Sequence, residues 1–175
     1  MKKNLILLVL GINLSLSSDN STSITIKNFH EINSDLYRSA QPNKKEMIQL
    51  NQNGFKTVIN LRYRINDQSE LKETQISENR VRLHAKNLCY NDILKTMKTI
   101  KSAPKPILMH CLHGSDRTGC MAAVYRMVFQ NWTKDEAIKE FLDPQFGYNS
   151  KIFPNILDTL EALDLNRLKR DLITN

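Results

Sequence analysis

A chain of 175 residues, 41% hydrophobic and 25% charged, is long enough for one domain with its own core and is ordinary in composition, which excludes a disordered or low-complexity protein. Its formal net charge of +7 suits an anionic substrate, and serves solubility or loose nucleic-acid contact equally well. Three cysteines, Cys89, Cys111 and Cys120, cannot all pair, and no Cys/His spacing points to a metal.

The chain opens "MKKNLILLVLGINLSLSSDN": two lysines, an apolar run from Leu5 to Leu14, then small and polar residues. This is the layout of a bacterial secretory signal over residues 1–17, with Ser15-Leu16-Ser17 as cleavage site and 18–175 as the remaining domain. Export to the periplasm or the medium is expected; the alternative is an uncleaved anchor or a hydrophobic strand. The run is short for a membrane span, so no stable span is expected after cleavage. Without Lys2 and Lys3 the net charge is +5.

Strand-like and helix-like segments then alternate. "LYRSA" (Leu36 to Ala40) reads as a short strand, and Asn43 caps a helix running through Leu50 to a stop at Asn53-Gly54. "KTVINLR" (Lys56 to Arg62) reads as a buried strand, Asp67 to Glu78 as a polar helix, and Arg80 to Ala85 as another strand. "NDILKTMKTIKS" puts Ile93, Met97 and Ile100 on one helical face, with Asn91 or Asp92 as cap. "PILMHC" (Pro106 to Cys111) reads as the central strand and Arg117 to Gln130 as the central helix. Two or three helices follow between Thr133 and Leu172, broken at Asp143-Pro144 and Phe153-Pro154. This order predicts an α/β domain with a mostly parallel sheet flanked by helices, in which ligands sit beyond the carboxyl ends of the strands. Cys111 stands at such an end.

The chemistry is concentrated in "PILMHCLHGSDRTGC", Pro106 to Cys120. Successive N–H groups of the turn after Cys111 can point inward, towards the spot faced by the positive end of the helix dipole. Both favour a thiolate, hence a nucleophile. The same cradle (Leu112, His113, Gly114, Ser115, Asp116 and Arg117) fits the oxygens of a phosphoryl group, and Gly114 permits a conformation other residues resist. Arg117 carries a planar guanidinium that can grip two phosphate oxygens at once. Thr118 can donate its hydroxyl to the sulfur as it leaves, and His110 reads as a residue that orders the loop by hydrogen bonding.

"HCLHGSDRTG" matches the pattern His-Cys-x-x-Gly-x-x-Arg-Ser/Thr-Gly, and with it the chain resembles the cysteine-dependent protein tyrosine phosphatase superfamily. "LYRSAQP", "KTVINLR" and the stretch from Pro106 to Phe141 look like bacterial dual-specificity-type phosphatases, in particular the exported periplasmic tyrosine phosphatases, over about Ile32 to Phe146. The resemblance implies a compact single-domain phosphatase fold with no cofactor and no metal. The implied substrate is a phosphorylated protein or peptide, hydrolysed in two steps through phosphocysteine. Cys111 is then the nucleophile, Arg117 the phosphate clamp and Thr118 the assisting hydroxyl.

The resemblance also implies a general acid, usually an Asp after the strand that precedes the signature. Here "LHAKNLCYND" supplies His84, Ala85, Lys86 and Asn87, with no carboxylate among them. Asp116, beside Arg117, is the first substitute, since myotubularin-type lipid phosphatases are thought to draw their proton from that loop position. Its structural alternative is a carboxylate that binds backbone amides. Asp92 is the second, with helix capping as its structural alternative. His113 reads as a rim contact or a surface residue, Arg38 as an anion binder or an ion-pair partner, and Lys86 and Arg82 as a basic lip or solvated strand ends. Cys89 and Cys120 read as packed thiols, the alternative being a regulatory disulfide of either with Cys111. Trp132, Tyr125 and Phe129 read as packing residues.

Three functions fit this pattern. The first is a protein tyrosine or dual-specificity phosphatase. The second is an inositol phosphate or phosphoinositide phosphatase, favoured by Asp116 and the basic excess, opposed by the uncharged Leu112 and Ser115. The third is a pseudophosphatase that binds phosphate without turning it over. No nucleic-acid partner is expected.

Overall fold

The computed structural model describes residues 23–174, so the predicted signal of residues 1–17 lies outside the described residues. Five strands form one sheet: β1 (His30–Asn33), β2 (Leu36–Ser39), β3 (Thr57–Arg62), β4 (Ser77–Leu83) and β5 (Ile107–His110), in the order β1-β2-β5-β3-β4. β2, β5, β3 and β4 run parallel, and β1 pairs antiparallel with β2 at the edge. β5 is central because it can be: Ile107, Leu108, Met109 and His110 have no exposed surface, and a strand buried on both faces reads as a continuous apolar run.

Side-chain alternation along the strands divides the interior in two. Ile107, Met109, Ile59 and Leu61 face the larger core with α3 (Tyr90–Ser102), α4 (Asp116–Phe129), α5 (Lys134–Leu142), α6 (Pro154–Glu161) and α7 (Leu165–Asp171). Leu108 and Val58 face a smaller one with Met47, Leu50 and Leu71, contributed by α1 (Lys44–Gln52) and α2 (Gln68–Leu71). α4 is buried almost all round, as expected of a helix inside a domain. Tyr125 is buried on it with its ring 5.0 Å from that of Phe129, while Trp132 lies 4.5 Å below the Arg126 guanidinium.

Local chemistry explains most element ends. Asn43 and Glu46 form a reciprocal capping box, Asn43 Oδ1 accepting from Glu46 N at 3.0 Å and Glu46 Oε2 from Asn43 N at 2.7 Å. Three expectations need correction. The polar helix over Asp67 to Glu78 is a single turn, Gln68–Leu71, and β4 starts at Ser77 instead of Arg80. Thr74 closes the turn that follows, its backbone N and its hydroxyl both donating to Leu71 O at 2.9 Å and the hydroxyl accepting from Ile76 N at 3.3 Å, so Leu71 O is taken by a turn and the helix stops. β4 ends at Leu83, and Ala85–Asn87 forms a 3₁₀ turn instead of strand. Finally, α3 begins one residue after Cys89, which occupies the cap position expected of Asn91 or Asp92.

Candidate active site

Cys111 follows β5 directly, only 1% exposed, and the loop from Leu112 to Ser115 carries the chain into α4. Where the loop's backbone points is decided by what holds its carbonyls. Cys111 O accepts from His110 Nδ1 at 3.0 Å, Leu112 O from Gln41 N at 3.1 Å, His113 O from Asn28 Nδ2 at 3.0 Å, and Gly114 O from Arg38 Nη2 at 2.8 Å. These donors surround the loop's outer side. In a planar trans peptide the N–H opposes the C=O, so outward carbonyls leave the amides of the next residues facing inward. The result is an amide nest at the amino end of α4, over the sulfur, suited to an anion.

The loop rests on the end of β2. Gly114 has φ +74°, and a Cβ there would lie 2.5 Å from Ser39 C and 2.6 Å from Ala40 N, so the position admits glycine alone. Beneath it Arg38 is 1% exposed, with its guanidinium 4.4 Å from the centre of the Phe146 ring. Burial lowers its pKa to about 10, against the opposing influence of Glu140 and Cys111, so it remains a cation at neutral pH. Arg38 Nη2 goes to a loop carbonyl and to no carboxylate, while its Nε and Nη1 are buried without a partner among the described residues.

Below the loop lies a buried polar chain that sequence reading missed. His110 and Asp67 have fully buried side chains, with Nε2 2.8 Å from Asp67 Oδ2. The Cys111 carbonyl only accepts, so Nδ1 carries the hydrogen there, and the proton facing Asp67 lies between Nε2 and the carboxylate. Asp67 Oδ1 also accepts from Gln41 Nε2 at 2.7 Å, and Gln41 Oε1 accepts from Arg62 Nη1 at 3.1 Å. The loop-ordering role expected of His110 thus has a visible mechanism.

The inner side is different. Arg117 Nη1 lies 3.5 Å from Leu61 O and 3.4 Å from Leu83 O, at the carboxyl ends of β3 and β4. Its Nε and the hydroxyl of Thr118 are buried polar atoms with no partner among the described residues. Arg117 lines a cavity of about 280 Å³ together with Tyr63, Arg64, His84, Lys86 and Phe153. Lys86 is part of this lip; Arg82 is not among its lining residues. A cleft of about 370 Å³ between Trp132 and Phe146 contains no residue of the loop.

The two carboxylates put forward as acids are both engaged. Asp116 Oδ1 accepts from Asn149 N at 2.9 Å, tying the loop to the segment after α5. Asp92 Oδ2 accepts from Cys89 N at 3.1 Å as one arm of the α3 capping box. Leu112 and His113 are exposed at the rim, and Ser115 Oγ donates to His113 O at 3.4 Å. All three cysteines are free: Cys89 is exposed, while burial pushes the Cys120 thiol up. Among the described residues no group of three His, Cys, Asp or Glu is placed to hold a metal, and no helix is long and apolar enough to cross a membrane.

The model of the tyrosine phosphatase family matches residues 23–157. The chain belongs to that family. It is 33% identical over 122 residues to the dual specificity protein phosphatase TpbA of Pseudomonas aeruginosa, a match that covers 69% of this chain and 56% of that protein. It is 31% identical over 83 residues to inositol diphosphatase DSP3 of Arabidopsis thaliana, covering 47% of this chain and 38% of that one. The chain therefore spans about half the length, or less, of these curated relatives. The crystal structure of a cysteine-to-serine variant of P. aeruginosa TpbA in complex with phosphotyrosine superposes with a TM-score of 0.78 at 25% identity, covering 91% of this chain and all of that one. The core catalytic domain of the PP-IP phosphatase Siw14 from S. cerevisiae gives 0.71 at 25% identity, covering 85% and 93%. The expected α/β phosphatase fold is borne out.

Proposed function

We propose that the chain hydrolyses phosphate monoesters, protein phosphotyrosine first and phosphoserine or phosphothreonine with it, through a phosphocysteine on Cys111. What supports this reading is a buried cysteine followed by a loop whose carbonyls are held by Gln41, Asn28 and Arg38, leaving its amides free for an anion, with Arg117 at its end. Cys111 attacks phosphorus, the amides of the loop and the Arg117 guanidinium hold the three non-bridging oxygens, and the unpartnered Thr118 hydroxyl donates to the sulfur when water displaces it. Asp116 and Asp92 are the carboxylates proposed from sequence for the leaving-group proton, each with one oxygen bound to a backbone amide.

A second reading, an inositol phosphate or phosphoinositide substrate, draws on the cavity beside Arg117. Its lining includes Arg64 and Lys86 and no carboxylate. The names of two relatives, an inositol diphosphatase and a PP-IP phosphatase, support it as well. A substrate panel separates the two: phosphotyrosine peptide turned over faster than inositol phosphates at matched concentration supports the first, and the reverse order the second. Cys111→Ser should reduce para-nitrophenyl phosphate hydrolysis by at least about 10⁴-fold. Retention of that hydrolysis would overturn the phosphocysteine route, and no hydrolysis by the native chain would leave only a phosphate-binding pseudophosphatase. We place the protein outside the cytoplasm, in the periplasm or the medium, on the strength of the basic and apolar start of the chain.

A further inference from the structure

A nucleophile and a cradle do not complete phosphate ester cleavage. The oxygen that leaves phosphorus departs on the side away from the attacking sulfur, and an alkoxide or phenoxide needs a proton as it goes. Of the residues from Cys111 to Arg117, Arg117 alone lines the adjoining cavity, beside Tyr63, Arg64, His84, Lys86 and Phe153. This wall holds two guanidiniums, a phenol, an ammonium and one imidazole, that of His84, and imidazole is the side-chain type that most often carries protons in catalysis.

His84 is also well placed. Arg117 Nη1 lies 3.4 Å from the carbonyl of Leu83, the preceding residue, so the backbone that carries the imidazole abuts the guanidinium. His84 O accepts from Asn87 N at 2.9 Å, and Ala85 O from Asn155 Nδ2 at 2.8 Å, which fastens this turn to α6. The ring stands edge-on to Tyr63 at 5.3 Å between centroids. The other three histidines are elsewhere: His110 is held by Asp67, His30 by Asn28, and His113 is absent from the cavity wall.

We infer that His84 is the general acid and base of the reaction, resting on the phosphocysteine reading above. The Cys111 sulfur forms its bond to phosphorus, the phosphorus–oxygen bond breaks, and its electron pair takes the imidazolium proton, releasing a neutral alcohol or phenol. The neutral imidazole then removes a proton from water as its oxygen attacks phosphorus. The sulfur–phosphorus bond breaks, inorganic phosphate leaves, and thiolate and imidazolium are restored. The sum is ester plus water giving alcohol plus phosphate.

The test compares a poor leaving group with a good one. On phenyl phosphate, His84→Gln and His84→Ala should lose about 10²-fold in kcat/KM, and on para-nitrophenyl phosphate less than about 5-fold, because this ratio reports only transfer to the sulfur, where the better leaving group needs little protonation. Added imidazole should restore phenyl phosphate turnover by His84→Ala, which a purely structural role would not allow. Circular dichroism of both variants separates loss of fold from loss of the proton. Equal losses on the two substrates, or a leaving-group-dependent loss in Asp116→Asn or Asp92→Asn with His84→Gln unaffected, would overturn the assignment. Absence of turnover by the native chain would remove the phosphatase reading and this one together, and is told apart by the wild-type control.

Discussion

Arg38 and Arg117 bracket the same loop from opposite sides, and the contrast between them separates scaffold from chemistry. Arg38 is 1% exposed, gives a 2.8 Å hydrogen bond to Gly114 O and stacks on Phe146. Arg117 makes only long contacts to two strand-end carbonyls and faces an open cavity, its Nε unpartnered. Arg38 also keeps Nε and Nη1 unpartnered, but it is buried and its one bond shapes the cradle, whereas Arg117 borders a cavity that an incoming phosphate can reach. The spacing from Cys111 singles out Arg117 in the sequence, whereas the role of Arg38 appears only in the fold, since residue type alone lets either arginine bind an anion.

Substitutions can break this contrast. Arg117→Lys keeps the charge but loses the planar fork, and should lower kcat by about 10²–10³-fold with little change in thermal midpoint. A comparable loss in thermal midpoint would mean that Arg117 is scaffold too. Gly114→Ala forces a Cβ against Ser39 backbone at positive φ and should cost at least about 2 kcal/mol, a fall of roughly 4–8 °C by calorimetry, with activity lost as the nest deforms. Arg38→Met leaves Gly114 O unpaired, which should cost about 1–3 kcal/mol, and its loss in kcat should be smaller than that of Arg117→Lys. The reverse ranking in kcat would collapse the distinction.

The smallest expected effect is one of pH. Burial holds the His30 pKa below its ordinary 6.5, helped by the charge of Arg38. The unfolded chain therefore takes up the proton first, and this residue's contribution to stability, present above 6.5, is lost as pH falls from there through the lower folded value. Thermal melts of wild type and His30→Gln should converge as the buffer is acidified below that value. Parallel melts across the range would assign the acid sensitivity to another group.

The sequence alone determined the features whose physics is local. The Asn43–Glu46 box lies within one helical turn, β5 announces its burial by an unbroken apolar run, and the loop's nucleophile, glycine and arginine fall within seven residues. The polar run after Asp67 misled, because a turn closed by Thr74 on Leu71 O stops the helix after one turn. Tertiary structure decided the rest. The donors on the loop's outer side reach it across 85 residues from Asn28 and 76 from Arg38, and His110 meets Asp67 across 43. Such partners leave no periodicity or spacing in the chain, because nothing relates them until the sheet brings the ends of β2, β3, β4 and β5 side by side. The same assembly sets His84 and Arg117 on one cavity wall, which neither residue's neighbours in sequence could reveal.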